Sequence, residues 1–430
     1  MTVVPLADYT AVDEADVYCS EVHIAVLRRR RDSVEFSYLA NADIDVATSL
    51  PRAAGVLRTH ASGALPPFFA GLLPEGRRMT ALRAAVKTSA DDEFSLLLAV
   101  GTDTVGNISI VPRGMGLAAE SGDVTTIGPG DWARLDFTAL FERSIGVDPD
   151  RSAVGGIQDK VSARMISFPV RAGDSSLTTH LLKLNPPEFP FVVENEAFFM
   201  QAARESGLRV ANASVVHDAD GRSGLLVERF DRQLAAGRIV RSAQEDACQV
   251  LGRYPADKYL VSTEETFASL VRLCRAGAVA ALELVRQVAF AYLTCNGDTH
   301  AKNFSILRMA GEWRISPAYD VPTSYPYRDR TMALTINAKR DESIGRADLL
   351  ALAAAIGLRA RAGERAIDEL LERCESWFQR LDELPFDARR IHDLRRAIAY
   401  RRQRLATPVH RQSRPAPPKT EPISESSPDR

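Results

Sequence analysis

Cysteine is scarce in this sequence, and the few cysteines form no pattern typical of cross-links. The 430 residues include five cysteines, an odd number, scattered along the chain and never spaced as a CxxC pair. That pattern argues against a disulfide framework and against a structural zinc site, and it suits a reducing compartment.

Targeting and membrane segments are also lacking. The N-terminus, MTVVPLADYTAVDEADVYCS, is acidic and has no basic segment followed by an apolar run, so no signal peptide is expected. The most apolar long segment, from Phe267 to Cys295, carries four charged residues, which is too many for a membrane span. We therefore expect a cytoplasmic protein with no membrane partner.

Charge of one sign is not in excess. The formal net charge is −2, so no global basic field indicates nucleic acid, and any contact with DNA would be local. Hydrophobic residues make up 45% and charged residues 26%, as in soluble globular proteins. The length of the chain predicts two or more domains.

Changes of pattern along the chain predict four parts, at residues 1–130, 131–232, 233–406 and 407–430. The first contains a predicted β-hairpin at 21–39, and we place its arginines 28–31 in an exposed turn rather than in a nucleic-acid site. This part ends with a segment rich in Gly and Pro, residues 114–130. The last part, rich in Pro and Ser, is predicted to be disordered.

Strands and helices alternate in the middle parts. Apolar alternation predicts strands around THLLKLN, SGLLVERFDR and EWRISPAYDV. Helices are predicted at 79–101, 194–207, 264–293 and through the C-terminal region. In the last helix an apolar stripe is formed by Ile391, Leu394, Ile398 and Leu405, with the arginines mostly on other faces.

The segment NGDTHAKNFS, residues 296–305, crowds polar side chains at the end of a long apolar segment. Asp298 and Asn303 have the D-x4-N spacing of a kinase catalytic loop, in which the Asp orients a hydroxyl and the Asn oxygen reaches a metal ion. A hydrogen-bonded helix cap would explain the pair equally well. His300 resembles the histidine of the D-x-H-x-x-N loop of phosphoinositide kinases, where it would support the loop or a phosphate.

Phosphoryl transfer requires further parts. Mg²⁺ prefers carboxylate and amide oxygens, and Asp320 follows a predicted strand 17 residues after Asn303, where a second metal-binding Asp of kinases lies. Lys183 lies in an apolar alternating strand, which predicts an ammonium in a cleft; snorkelling to the surface is the alternative. Glu196, 13 residues on, is its candidate ion-pair partner, or a carboxylate that stabilises a helix N-terminus.

A turn that covers the phosphates is the last part. The candidate turn consists of Gly155 and Gly156 with Gln158 and Lys160, although a Gly-Gly pair alone is most often a hairpin turn. The order along the chain is what favours a kinase: turn, lysine strand, Glu helix, strand, D-x4-N loop, strand, Asp.

In these motifs the chain resembles the HipA family of bacterial serine/threonine protein kinases, the toxins of HipBA-type toxin–antitoxin systems. The matching motifs are PFFAGLLPEG (67–76), GGIQDK (155–160), THLLKLN (179–185), VENEAFFMQAARESGL (193–208), LLVERFDR (225–232), QEDACQVLG (244–252) with KY at 258 and 259, NGDTHAKNFS (296–305) and PAYDV (317–321). The resemblance implies an α+β fold. It would have a protein-kinase-like core, related to that of phosphoinositide kinases, with a helical C-terminal lobe and an N-terminal β-rich subdomain.

The resemblance also implies roles for individual residues and two cofactors, ATP and Mg²⁺. Asp298 would be the catalytic base and Lys183 the lysine that binds ATP. Asn303 and Asp320 would be the Mg²⁺ ligands.

Two more positions take their meaning from the resemblance. Glu228 and Phe230 of VERFDR would contact adenine at the hinge.

A Ser commonly precedes the G-x-Q-x-K turn in the family, and its autophosphorylation ejects the turn. Here Ala153 holds that place, and Ser152 lies one residue earlier. Either Ser152 serves after a shift of one residue, which we favour, or self-inactivation is absent and regulation is left to the antitoxin.

The sequence therefore predicts an ATP- and Mg²⁺-dependent protein serine/threonine kinase that acts as a toxin. Family members phosphorylate proteins of translation, aminoacyl-tRNA synthetases among them, and slow growth. A small helix-turn-helix antitoxin, which also binds operator DNA, neutralises them. Two alternatives stay open: a small-molecule or lipid kinase with the same D-x-H-x-x-N loop, and a DNA-bound corepressor with little catalysis. The sequence does not name the substrate.

Overall fold

The computed structural model describes residues 6–59, 64–117, 126–127, 131–140, 166–172, 179–235 and 238–407. Several positions predicted to be functional lie outside these ranges, namely Ser152, Gly155, Gly156, Gln158 and Lys160. The predicted disordered tail, from residue 408 onward, also lies outside them.

The first sheet is built from residues 14–112. Its strands are β1 (Glu14–Cys19), β2 (Val22–Arg29), β3 (Val34–Tyr38), β4 (Leu57–Arg58) and β5 (Ile108–Pro112), in the antiparallel order β4-β3-β2-β1-β5. β2 and β3 form the predicted hairpin. The exposed-turn prediction is wrong for Arg28 and Arg29, which lie in β2 because the backbone pairing with β1 and β3 continues through them. Their side chains pair with Glu14 and Asp92.

Three helices pack on this sheet: α1 (Pro67–Ala70), α2 (Gly76–Val86) and α3 (Glu93–Val100). The single helix predicted for 79–101 is divided. Lys87 ends α2 in a left-handed conformation, with φ of 59°, and Asp92 caps α3 by accepting a hydrogen bond from the Ser95 amide. Phe36 and Phe69 meet in the core between the layers, with ring centroids 5.4 Å apart.

The second sheet carries Lys183 on a central strand. Its strands are β6 (Thr126–Ile127), β7 (Ile166–Ala172), β8 (His180–Leu184), β9 (Ala213–His217) and β10 (Ser223–Glu228), in the order β6-β7-β8-β10-β9. Helix α4 (Val192–Glu205) packs on the sheet through Val193 and Met200. Because α4 begins two residues before the predicted start at 194, Glu196 lies in its second turn and not its first.

The C-terminal half combines two small antiparallel sheets with helices. β11 (Arg232–Ala235) pairs with β12 (Arg238–Arg241), and β13 (Gln244–Asp246), β14 (Ser305–Met309) and β15 (Glu312–Ile315) form a three-stranded sheet. The helices are α5 (Ala247–Val250), α6 (Thr263–Leu273), α7 (Gly277–Leu293), α8 (Arg346–Ala355), α9 (Ala360–Arg373), α10 (Glu375–Phe378) and α11 (Ala388–Ala406). The predicted helix at 264–293 is two helices, because the backbone is extended at Cys274. The α+β class is confirmed.

The largest hydrophobic core lies among these helices, around the fully buried Trp377 and Tyr292. The predicted stripe of α11 is confirmed, since its four members are all buried. Arg401 is an exception among the arginines of α11. It is buried, and its guanidinium donates to the carbonyl oxygens of Tyr292 and Arg330, each at 2.7 Å. None of the helices in the described ranges has the length and apolar character needed to cross a bilayer.

Candidate active site

The polar loop at 296–303 begins where α7 ends against the helical core. Leu293 is fully buried, and Cys295 turns the chain with a left-handed φ of 58°. Gly297 permits a close approach of two backbone segments, because a Cβ there would lie 2.5 Å from the carbonyl oxygen of Thr331. The loop is therefore fixed against the segment that follows Asp320.

Asp320 faces the loop from the far side. It follows β15 and has φ of 57°, a conformation that Asp tolerates better than most residues other than glycine. Its Oδ2 accepts a hydrogen bond from Asn303 Nδ2 at 2.8 Å, and its backbone oxygen accepts one from Asn296 Nδ2 at 3.4 Å. The structure thus brings Asn303 and Asp320 into direct contact.

Lys183, on β8 of the second sheet, reaches Asp320 in the C-terminal half. Its ammonium donates to both carboxylate oxygens of Glu196, at 2.7 and 2.9 Å, and to Asp320 Oδ1 at 3.2 Å. The side chain of Lys183 is 12% exposed and that of Glu196 is 1% exposed. These contacts disfavour both alternatives, because Lys183 does not snorkel to the surface and Glu196 lies beyond the first turn of α4.

The three side chains Lys183, Glu196 and Asp320, called the lysine cluster from here on, perturb one another's titration. Burial opposes the charge of Lys183, but Asp320 and Glu196 raise its pKa above the ordinary value. Burial also works against charge on Asp320, but Lys183 lowers the pKa of that carboxyl. Burial raises the pKa of Glu196; its two short contacts with the ammonium are nonetheless those of an ion pair. With both carboxylates ionised, the cluster has one negative charge in excess.

Asn303 and His300 make local contacts that the helix-cap alternative anticipated in part. Asn303 Oδ1 accepts a hydrogen bond from the backbone amide of His300 at 2.9 Å. The His300 ring packs edge-on against Tyr259, with centroids 5.2 Å apart. Its buried Nδ1 has no hydrogen-bond partner among the described residues. Burial, assisted by Lys258, lowers the pKa of His300 to about 3, so the ring is neutral near pH 7.

A hydrogen bond from Tyr259 holds the carboxylate of Asp298 in place. The hydroxyl of Tyr259 donates to Asp298 Oδ1 at 2.9 Å, and the amide of Asp298 donates to Asn296 Oδ1 at 3.1 Å. Burial and the nearby Asp298 raise the pKa of Tyr259, so the phenol stays a donor. No spacing in the sequence predicted a role for Tyr259, which lies 39 residues from Asp298. The one available signal was its place in the KY motif.

Glu228 and Phe230 lie where β10 leaves the second sheet. The exposed carboxylate of Glu228 accepts a hydrogen bond from Asn212 Nδ2 at 2.8 Å. The Phe230 ring packs against Tyr319, with centroids 5.5 Å apart, one residue before Asp320. Phe230 therefore lies near the lysine cluster, between the second sheet and the C-terminal half.

The chemistry of this site suits a divalent cation. Asp320 and Asn303 offer the hard oxygen donors that Mg²⁺ prefers, and the excess negative charge of the lysine cluster favours a cation. Asn303 presents its Nδ2 to Asp320 while its Oδ1 binds the His300 amide. Coordination through the Asn303 oxygen on the Asp320 side therefore requires that the amide rotate. A buried carboxylate, Asp298, lies in the same loop.

Two protein families match most of the chain. The family of the HipA-like C-terminal domain matches residues 152–378, and that of the HipA N-terminal domain matches residues 15–111. The serine/threonine-protein kinase toxin HipA of Shewanella oneidensis is 29% identical over 303 residues, which cover 66% of this chain and 69% of that protein. The protein Y4dM of Sinorhizobium fredii is 30% identical over 347 residues, with coverage of 76% and 79%.

A solved structure shows the same fold. It is the complex of the Shewanella oneidensis toxin–antitoxin system HipA, HipB and its operator DNA. A chain of that complex has a TM-score of 0.74 to this one at 23% identity, covering 91% of this chain and 97% of its own. This likeness confirms the predicted protein-kinase-like fold with an added N-terminal subdomain.

Proposed function

Because the chain belongs to the HipA family of serine/threonine protein kinases, we propose that it transfers the γ-phosphoryl group of ATP to a protein hydroxyl, with Mg²⁺ as its metal. Kinases in general use a nucleotide and a divalent cation. The observation that carries the proposal is the lysine cluster, in which a buried ammonium contacts Asp320 while Asp320 contacts Asn303. This is the arrangement that phosphoryl transfer requires, with Asp298 in the same loop.

Each residue has one part in the proposed reaction. Lys183, held by Glu196, binds phosphate oxygens, and Asp320 with Asn303 would hold Mg²⁺. Held there, Mg²⁺ would supply positive charge to offset that of the transferring phosphoryl group. Asp298 orients the substrate hydroxyl and takes its proton.

Supporting parts follow from the same proposal. His300, neutral at pH 7, supports the loop and donates no proton to phosphate. By motif, adenine would lie at Glu228 and Phe230. The phosphates would lie under the turn of Gly155, Gly156, Gln158 and Lys160.

The base assignment is tested with Asp298→Asn. We expect phosphotransfer to fall by about 10²- to 10⁴-fold, because proton transfer from the hydroxyl is lost while the side-chain shape is kept. The matched control is Asp382→Asn, which changes an exposed aspartate that pairs with Arg395 at 2.7 Å. Labelled ATP and Mg²⁺ are incubated with each variant and a cell lysate. Substantial residual transfer by Asp298→Asn would overturn the base assignment.

The same assay tests the substrate class. Label is expected in protein, on serine or threonine, and not in the small-molecule or lipid fractions. Label confined to those fractions would contradict a protein substrate. Transfer that does not require Mg²⁺ or that prefers another nucleotide would contradict the proposed cofactors.

The biological role is proposed from the relatives. HipA of Shewanella oneidensis is named as a toxin, and its solved complex contains HipB and operator DNA. We propose that this chain phosphorylates a component of translation, such as an aminoacyl-tRNA synthetase, and slows growth. A small helix-turn-helix antitoxin would neutralise it and link it to operator DNA. Induced expression should arrest growth, Asp298→Asn should not, and coexpression of a helix-turn-helix protein encoded alongside should restore growth. Arrest by Asp298→Asn would separate toxicity from catalysis.

Self-inactivation at Ser152 is part of the proposal. Mass spectrometry of the expressed protein should find phosphate on Ser152, and should find none in Asp298→Asn. An unmodified Ser152 in a demonstrably active enzyme would leave control to the antitoxin.

A further inference from the structure

One carboxylate of the N-terminal subdomain lies between two lysines of the C-terminal half. Glu75, at the start of α2, contacts the ammonium of Lys302 through Oε1 at 3.3 Å and that of Lys258 through Oε2. The side chains of the two lysines are only 14% and 12% exposed, whereas that of Glu75 is 35% exposed. Glu75 is thus the charge partner that both lysines share.

Lys302 is occupied by these contacts. Its ammonium also donates to the carbonyl oxygen of Gly71 at 3.2 Å and lies 3.1 Å from Asp246 Oδ2. The ammonium of Lys302 is thus surrounded by Gly71, Glu75 and Asp246. Lys302 directly precedes Asn303 and is held from the side of the N-terminal subdomain.

The N-terminal subdomain packs closely against the C-terminal half beside the contacts of Glu75 with Lys258 and Lys302. Gln249 Nε2 donates to the carbonyl oxygen of Phe68 at 3.0 Å, and its Oε1 accepts from the Asp246 amide at 3.0 Å. A Cβ at Gly71 would lie 2.8 Å from Gln249 Cγ. The segment from α1 to α2 is therefore seated directly on α5, with little room to shift.

Each of the two lysines that contact Glu75 is followed by a residue of the candidate active site. Lys258 precedes Tyr259, whose hydroxyl donates to Asp298, and Lys302 precedes Asn303, which contacts Asp320. The two stretches are also joined directly, because the Ala301 amide donates to the carbonyl oxygen of Lys258 at 3.2 Å.

We propose that Glu75 is a positioning residue for catalysis: through Lys258 and Lys302 it holds Tyr259 and Asn303, and with them Asp298 and Asp320, in the geometry of phosphotransfer. The inference rests on the proposed roles of Asp298 and Asn303. It makes the N-terminal subdomain a working part of the kinase site. Lys302 acts in this scheme as a link and not as a phosphate ligand.

The test compares Glu75→Gln with a matched control in the same subdomain, in the full-length protein. Glu35 on β3 is also a carboxylate between two cations, since Arg30 and Arg58 contact it at 2.9 and 2.8 Å. Arg30 lies in the turn after β2 and Arg58 on β4. We expect Glu75→Gln to lower kcat about tenfold with KM for ATP changed less than about twofold. Glu35→Gln should leave both constants unchanged. Equal effects of the two variants, or a loss confined to KM, would overturn the proposal.

A double-mutant cycle identifies the link. If Glu75 acts through Lys302, the double variant Glu75→Gln/Lys302→Met should lose no more kcat than the more impaired single variant. Additive losses would show that the two residues act independently.

Hydrogen exchange separates this inference from the proposed function. In Glu75→Gln, backbone amides of 296–303 should exchange at least about threefold faster, while those of the first sheet stay unchanged. Unchanged exchange in the loop would overturn the positioning role even if the kinase is active. Faster exchange in a protein without phosphotransfer would support the link and refute the proposed function.

Discussion

Two groups of buried charges differ in how their excess charge is compensated. The first is the lysine cluster, where one ammonium faces two carboxylates. The second, called the arginine cluster, consists of Arg229, Arg232 and Arg241 with Asp103 and Asp231. It has three guanidiniums against two carboxylates, so its excess charge is positive.

Backbone carbonyls compensate the arginine cluster. Arg229 donates to Thr104 O at 2.9 Å, Arg232 to Gly106 O at 2.8 Å and Arg241 to Ile108 O at 2.6 Å. Burial, with the neighbouring Arg232, lowers the pKa of Arg241 to about 9, which still leaves it protonated near pH 7.

In the lysine cluster the excess stays on a carboxylate that solvent can reach. The side chain of Asp320 is 20% exposed, against 4% for Asp231. In the arginine cluster, backbone groups of the same chain thus compensate the excess charge. The candidate active site instead retains a carboxylate that can bind a cation from solution. Variants of the two aspartates should therefore have opposite consequences.

The largest effect is expected for Asp320→Asn. Loss of a proposed metal ligand should lower kcat/KM by about 10³-fold, since a bound metal ion contributes several kcal/mol to transition-state stabilisation. The free energy of unfolding should change by less than about 1 kcal/mol, because one ammonium still faces one buried carboxylate. Kinase assays and denaturant titration measure the two quantities. A large loss of stability with retained activity would erase the distinction between the clusters.

The converse is expected for Asp231→Asn. Removing one partner from the buried arginine cluster should destabilise the fold by about 3–5 kcal/mol, because three guanidiniums then face one carboxylate. At a temperature where the variant is folded, kcat should remain within about threefold of the parent. Thermal unfolding measures the loss. A drop in kcat comparable to that of Asp320→Asn would show that this cluster is also catalytic.

Glu245 should give a smaller, pH-dependent effect. This buried carboxyl accepts hydrogen bonds from the amide and hydroxyl of Thr48, at 2.9 and 2.7 Å, and burial raises its pKa from about 4.5 to about 7. The folded protein thus binds this proton more tightly than the unfolded chain. The associated stability is complete below pH 4.5 and is lost as the pH rises through 7, by an amount on the order of 3 kcal/mol.

The isosteric Glu245→Gln removes this titration. Its free energy of unfolding should fall less than that of the parent between pH 5 and pH 8, in urea titrations at both values. Parallel pH profiles of the two proteins would show that folding does not raise the pKa of Glu245.

The smallest effect is expected for an exposed ion pair. Arg365 on α9 is 82% exposed and pairs with Glu369, four residues on, at 2.8 Å. Arg365→Ala should change the free energy of unfolding by less than about 0.5 kcal/mol, because solvent screens the pair. A loss approaching that of Asp231→Asn would mean that burial is not what separates the two classes of charge.

Much of the candidate site could be predicted from sequence because its chemistry is local. Asp298 and Asn303 lie in one loop, and Lys183 and Glu196 lie on a strand and the helix that follows it. The spacing of such pairs can be read directly from the amino-acid sequence. The contact of Tyr259 with Asp298 and that of Glu75 with Lys302 join distant parts of the chain. They depend on how the lobes pack, which periodicity does not reveal.

The fold was predictable to a similar extent. Alternation gave the hairpin of β2 and β3, and the apolar stripe gave the buried face of α11. The predicted helices at 79–101 and 264–293 were too long, because single backbone conformations at Lys87 and Cys274 end a helix without interrupting the helical pattern of residues. Arg28 and Arg29 were misplaced for a related reason, since their carboxylate partners are on other elements.

The carbonyl acceptors of the arginine cluster have a consequence for the order of folding. Residues 102–108, which supply them, precede the three arginines by more than a hundred positions and leave the ribosome first. The N-terminal subdomain can therefore be in place before the guanidiniums emerge, as expected when domains fold in order of synthesis. A chain that began after residue 112 would have to bury three guanidiniums without these acceptors. Burial of these three arginines therefore depends on backbone groups of the N-terminal subdomain.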